Sequence, residues 1–133
     1  MSTDRVTLIV PAHSEFARTV RMTAAELASR LGMSYDEVDD VRLAAEEAFV
    51  YVCECVEPSS DIRFAFTVGD GMLGIDVGPL ETSGGPRGDA PAETYAEFIL
   101  RSICDEFSIE HEAGGCTLHL IRRAGARAGD AGA

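Results

Sequence analysis

Residues 41–56, VRLAAEEAFVYVCECV, decide the fold. Val41, Ala45, Ala48, Val52 and Val56 recur through this stretch at spacings of three and four, continuing a series that starts at Val38. That period is the signature of an α-helix with one face on a core. Glu46 and Glu47 set two adjacent carboxylates beside the stripe. They are either the solvated edge of a core helix or a source of proton chemistry. The start of the helix is specified by Ser34-Tyr35-Asp36-Glu37, a capping box in which the Ser34 hydroxyl and the Glu37 carboxylate satisfy orphan backbone donors reciprocally. Pro58-Ser59-Ser60 breaks it.

Upstream, RVTLIV at residues 5–10 alternates Val6, Leu8 and Val10 with more polar neighbours, as a strand with one buried face does, and Pro11 stops it. Ser14 is expected to N-cap a helix carrying Phe16, Val20, Ala24, Leu27 and Leu31, with Gly32 just past its end as a C-cap. Downstream, DIRFAFTV and MLGIDV alternate on either side of Gly69-Asp70-Gly71 and predict a β-hairpin. Ile75 and Val77 must share the core face, so Asp76 is expected on the opposite one. Residues 79–92, PLETSGGPRGDAPA, carry no apolar period and are expected to form a long mobile loop, a form often used as a lid. Glu93 to Asp105 reads as a helix with Tyr95, Ile99 and Ile103 on one face. FSIEHE, the turn Ala113-Gly114-Gly115 and CTLHLIRR make a closing hairpin, and residues 124–133 are too poor in apolar surface to be anything but a disordered tail.

The order βααββαββ over residues 1–123 predicts one domain of the α+β class. Its expected form is a two-layer α/β sandwich, with a mixed, largely antiparallel sheet of about five strands and the helices on one face. A chain of 133 residues can enclose one such core. The net charge of -12 and pI near 4.5 argue against nucleic acid and anionic membranes as partners, and suit a basic protein partner or simple solubility. No window approaches the roughly 20 apolar residues of a membrane span, and MSTDRVTLIVPAH has no secretory h-region, so a cytoplasmic location is expected. Cys53, Cys55, Cys104 and Cys116 lie in apolar segments without a CxxC pair, which predicts small hydrophobes rather than a metal or disulfide framework. His13, His111 and His119 lack triad-like neighbours and are assigned no catalytic role.

With RLAAEEA on the long helix, the hairpin DIRFAF/MLGIDV and the late segment FILRSICDEF, the chain resembles the anti-sigma factor and serine-protein kinase family. Members of that family have the GHKL, or histidine kinase-like, ATP-binding fold. The likeness runs over roughly residues 5–123. It implies that Glu47 occupies the position of a Glu that positions or deprotonates the attacking group. One turn later the family places an Asn that binds Mg²⁺, and here the residue is Tyr51. The adenine-binding Asp position falls on Pro79, and the phosphate-cradling Gly-x-Gly falls on Thr94 and Ala96. Gly84, Gly85 and Gly88 precede that helix, but Asp89, Glu93 and Glu97 crowd its entrance with negative charge.

These departures imply a degenerate nucleotide site with no cofactor and no metal, in a transcription regulator that binds a sigma factor or an anti-sigma antagonist by protein contacts. A homodimer is the form the resemblance suggests. The alternative is an active ATP-dependent serine-protein kinase, with Mg-ATP as cofactor and Glu47 as base. A third reading is a small-molecule sensor that reuses the vacated pocket, lined by Tyr51, Phe49 and Tyr95.

Overall fold

The computed structural model describes residues 3–81 and 95–125. In chain order these form β1 (Asp4–Pro11), a 3₁₀ turn (Ser14–Phe16), α1 (Ala17–Arg30), α2 (Tyr35–Cys53), β2 (Asp61–Gly69), β3 (Met72–Glu81), α3 (Tyr95–Ile103), β4 (Glu106–Glu112) and β5 (Gly115–Arg123). The strands make one sheet in the order β1-β2-β3-β5-β4. Every pairing among the described residues is antiparallel, where a mixed, largely antiparallel sheet was the expectation. Chain direction explains the difference. Two helices separate β1 from β2, so the chain returns to the end where β1 finished and β2 runs back alongside it.

The helices cover one face of the sheet. Val10, Ile62, Phe64, Phe66, Leu73, Ile75, Val77, Leu118 and Leu120 point into the core, where they meet Val41, Ala44, Ala45, Ala48, Phe49 and Val52 of α2 and Val20, Ala24 and Leu27 of α1. The small residues of α2 let the helix lie close to the sheet, and Phe49 stands between them as the one large anchor. Its ring lies 6.1 Å from that of Phe64. The α2 helix ends at Cys53, short of the predicted Val56, because the Cys55 N–H turns back to Val52 O at 2.9 Å and tightens the last turn. Val56 still packs against the core.

Gly32 closes α1 as expected: its N–H bonds Ser29 O at 3.0 Å while Met33 N–H reaches Ala28 O at 3.4 Å, the paired pattern of a Schellman motif. Ser14 does not cap α1. It opens the 3₁₀ turn instead, its carbonyl accepting from Ala17 N–H, and neither His13 nor Phe16 caps through its side chain. The turn is fixed from elsewhere, by His13 Nε2 at 3.0 Å from Pro58 O.

The capping box at Ser34 is complete: Glu37 N–H donates to Ser34 Oγ at 3.1 Å and Ser34 N–H donates to Glu37 Oε1 at 2.7 Å. Glu37 is buried, and its second oxygen accepts a hydrogen bond from Gly125 N–H. Ala124 N–H bonds Gly71 O at 2.8 Å, so the first two residues placed with the tail are held, and residues 126–133 lie outside the described ones. Glu37→Ala removes a cap and a tether together and is expected to cost about 2 kcal/mol in a urea titration. The backbone amide of Gly125 should lose hydrogen-exchange protection in the same variant.

Candidate functional site

The two glutamates of α2 separate in the fold. Glu46 turns toward α1, where Arg21 Nη1 donates to its Oε1 at 2.9 Å across a half-buried interface. That pair joins the two helices and is occupied with structure. Glu47 is half-buried one step further round the helix, and burial, with the neighbouring Glu46 charge second, holds its carboxyl above the usual carboxylate range. Of the two, Glu47 is the one whose environment resembles that of a base.

Four residues on, at the same helical face, stands Tyr51. It packs against the core, and burial pushes its phenol up to about 12, reinforced by Cys55, Glu97 and Cys116. Its side chain also hydrogen-bonds Cys55. Tyr51 is therefore a protonated phenol through the neutral range, surrounded by α2, α3 and β5. Glu97, buried on the first turn of α3, and Cys116, opposite Leu80 in the sheet, are near enough for their charges to bear on it. A neutral phenol is a weak ligand for a hard cation, and its ring fills space that a shorter amide side chain would leave open. Among the described residues no group of three or more His, Cys, Asp or Glu side chains could hold a metal ion.

Beside Tyr51 the sheet is irregular. The β3–β5 register shifts between Val77 and Leu80, and Pro79 projects from the resulting bulge into solvent while Leu80 turns inward. Gly78 makes this possible. Its φ is +132°, and a Cβ there would sit 3.0 Å from Cys116 O. β3 thus continues to Glu81, past the predicted strand end at Val77 and three residues into the expected loop. Asp76 faces away from Tyr51 as expected, hydrogen-bonded to His119 on the open side of the sheet. An open cleft of about 280 Å³ lies between the end of α2 and the bulge, lined by Val56, Ser60, Asp61, Pro79, Leu80 and Glu81. Its two carboxylates give a phosphate no counter-charge. A second, enclosed space by Ile103, Cys104 and Arg122 has about 10 Å³, room for at most one water.

The remaining nucleotide positions divide. Ala96 lies half-buried in the first turn of α3, and Thr94 with residues 82–93 lies outside the described residues. Phe49 does not line a pocket with Tyr51: it is fully buried, because two residues along a helix turn the side chain by about 200°. Tyr95 is 77% exposed. The thiols of Cys53, Cys104 and Cys116 are all raised by burial, Cys104 to about 12, and behave as the small hydrophobes expected.

The model of the histidine kinase-like ATPase domain matches residues 10–123. The chain belongs to the histidine kinase-like ATPase domain family. Within this family it is similar to the serine-protein kinase RsbW of Bacillus cereus strain AH820, 24% identical over 128 residues that cover 84% of this chain and 80% of the relative. It is also similar to RsbW of Halalkalibacterium halodurans, 26% identical over 127 residues, covering 84% and 78%. Among solved structures, that of the RsbU and RsbW domains of a Mycobacterium tuberculosis protein superposes with a TM-score of 0.65 at 22% identity. The superposition covers 90% of this chain and 32% of that longer one, and shows a shared fold. The ATPase family and the anti-sigma and kinase resemblance therefore agree. No helix among the described residues is long and apolar enough to cross a membrane.

Proposed function

We propose that the chain is an anti-sigma-factor-like regulator of transcription that acts by protein–protein binding to a sigma factor or an anti-sigma antagonist, with ATP binding lost or greatly weakened. The observation that carries this reading is Tyr51, a protonated and hydrogen-bonded phenol at the position where the resemblance calls for a metal-binding amide. Pro79 supports it, since proline offers adenine neither a side-chain acceptor nor a backbone N–H. The acidic surface, at a net charge of -12, would attract a basic protein surface and repel a triphosphate.

Titration calorimetry with Mg·ATP and Mg·ADP tests the proposal. The expected result is no saturable binding, a Kd weaker than about 1 mM. Micromolar affinity, together with phosphorylation of a serine on an antagonist protein, would overturn it in favour of a working kinase. One observation favours that second reading: the raised carboxyl of Glu47, poised as a general base would be. If the kinase operates, Glu47→Gln abolishes phosphoryl transfer and leaves the thermal midpoint within about 2 °C of the parent.

A further inference from the structure

The open face of the sheet carries a side-chain cluster that neither the nucleotide site nor the core uses. His119 of β5 lies directly opposite Asp76 of β3 on one side and Ser108 of β4 on the other, with Glu110 one diagonal step along β4. Its Nδ1 is 2.7 Å from Asp76 Oδ1 and its Nε2 is 3.3 Å from Glu110 Oε1. Both ring nitrogens thus face carboxylate oxygens, which accept and cannot donate when ionised. A neutral imidazole has one N–H and would leave the other nitrogen lone pair against a negative oxygen. Only the imidazolium satisfies both contacts.

We propose that His119 is a proton-operated clasp: as an imidazolium it ties β3 to the hairpin end of β4 across β5, and on losing a proton it releases Glu110. The clasp acts at an edge. β4 is an outer strand, and its start has other ties: Arg123 donates to Glu106 at 2.7 Å, and Arg122 donates at 3.4 Å to Asp105, the residue just before the strand. Toward the Ala113-Gly114 turn, the side-chain tie that spans β4 and β5 among the described residues is the bond from His119 to Glu110. Glu110 is the more exposed of the two carboxylates, at 66% against 39% for Asp76, so its contact is the one that gives way.

The surroundings add no competing charge at the ring. Thr117 and Ile121 flank His119 along β5, Ser108 faces it from β4, and Ala65 of β2 lies beyond Asp76. Arg5 of β1, Asp61 and Arg63 of β2, Glu106 and Glu112 of β4 and Arg123 of β5 occupy the same face further off, Glu106 and Arg123 paired together. The helices pack on the other side. The hydrogen bond that His119 donates to Asp76 is the main reason its imidazole is held above its ordinary range, with burial opposing and Glu110 adding. The folded state therefore binds the proton more tightly than the unfolded chain. The clasp's contribution is full below the unfolded histidine value and is lost as pH rises through the folded one.

NMR titration of the histidine resonances, with hydrogen exchange on the same full chain, tests the proposal. The His119 midpoint is expected above the ordinary value of about 6.5, shifted down in Glu110→Gln and further down in Asp76→Asn. Protection of the amides at residues 109–112, corrected for the intrinsic base-catalysed rate, is expected to fall at least about threefold above that midpoint, and in Glu110→Gln to be low and independent of pH. β1 and β2 should show no matching change. A His119 midpoint at or below the ordinary value, or one that Glu110→Gln leaves in place, would overturn the proposal. Should Asp76→Asn fail to fold, the exposed Glu110 variant decides alone.

Discussion

Phe64→Ala is expected to lower the stability of the fold by about 3–5 kcal/mol, read as a fall in the urea midpoint at unchanged slope. Phe64 is fully buried in the middle of β2, stacked on Phe66 at 6.0 Å with the rings 14° apart and tilted against Phe49 at 6.1 Å and 46°. Truncation removes the transfer energy of the ring and leaves a cavity that the two neighbouring rings, themselves fixed by strand and helix, cannot close. Domains of this size hold only about 5–15 kcal/mol in total, so the variant sits near the limit of folding. The consequence reaches the candidate site, because Phe49 belongs to the helix that carries Glu47 and Tyr51. A loss below about 1 kcal/mol would mean that α2 is not seated on Phe64 and that its register on the sheet has another origin.

What the sequence made legible follows from the range over which each feature is encoded. The α2 stripe, the capping box, the Gly32 cap and the first hairpin are set by residues within a few positions of one another, and all four stand in the structure. The spacing that puts Glu47 and Tyr51 on one helical face is equally local. What closes on Tyr51 is not: Glu97 and Cys116 come from α3 and β5, and only the sheet order brings them to α2. Arg21 with Glu46 and the His119 cluster are likewise pairings across 25 and 43 positions, invisible to periodicity. The strand-like pattern of GIDV ended in a Gly-Pro pair that reads as a stop, whereas the chain bulges there and resumes pairing at Leu80. The Ser14 cap failed for a related reason, since a contact from Pro58 fixes that turn and the side-chain cap is not used.

Gly115→Ala is the second large effect, expected at about 3 kcal/mol, and it acts on the site as well as on the fold. A Cβ at residue 115 would lie 2.0 Å from the carbonyl oxygen of Leu80 and 3.1 Å from its carbonyl carbon. Both atoms are backbone, so no side chain can swing aside, and the end of β3 must part from β5. Leu80, which is 4% exposed, would lose its core contact, and Cys116 would shift relative to Tyr51. The Tyr51 phenol, now pushed up to about 12 mainly by burial, should then titrate closer to its ordinary value of about 10, a spectrophotometric readout that a loss confined to the hairpin turn would not produce. Gly74→Ala separates this effect from a general intolerance of side chains in the sheet. Its Cβ would meet Thr67 Cβ at 3.7 Å, an ordinary contact on the open face, and the expected change is within about 0.5 kcal/mol. Equal losses in the two variants would show that the close approach of β3 and β5 beside the bulge is not what holds Tyr51 in place.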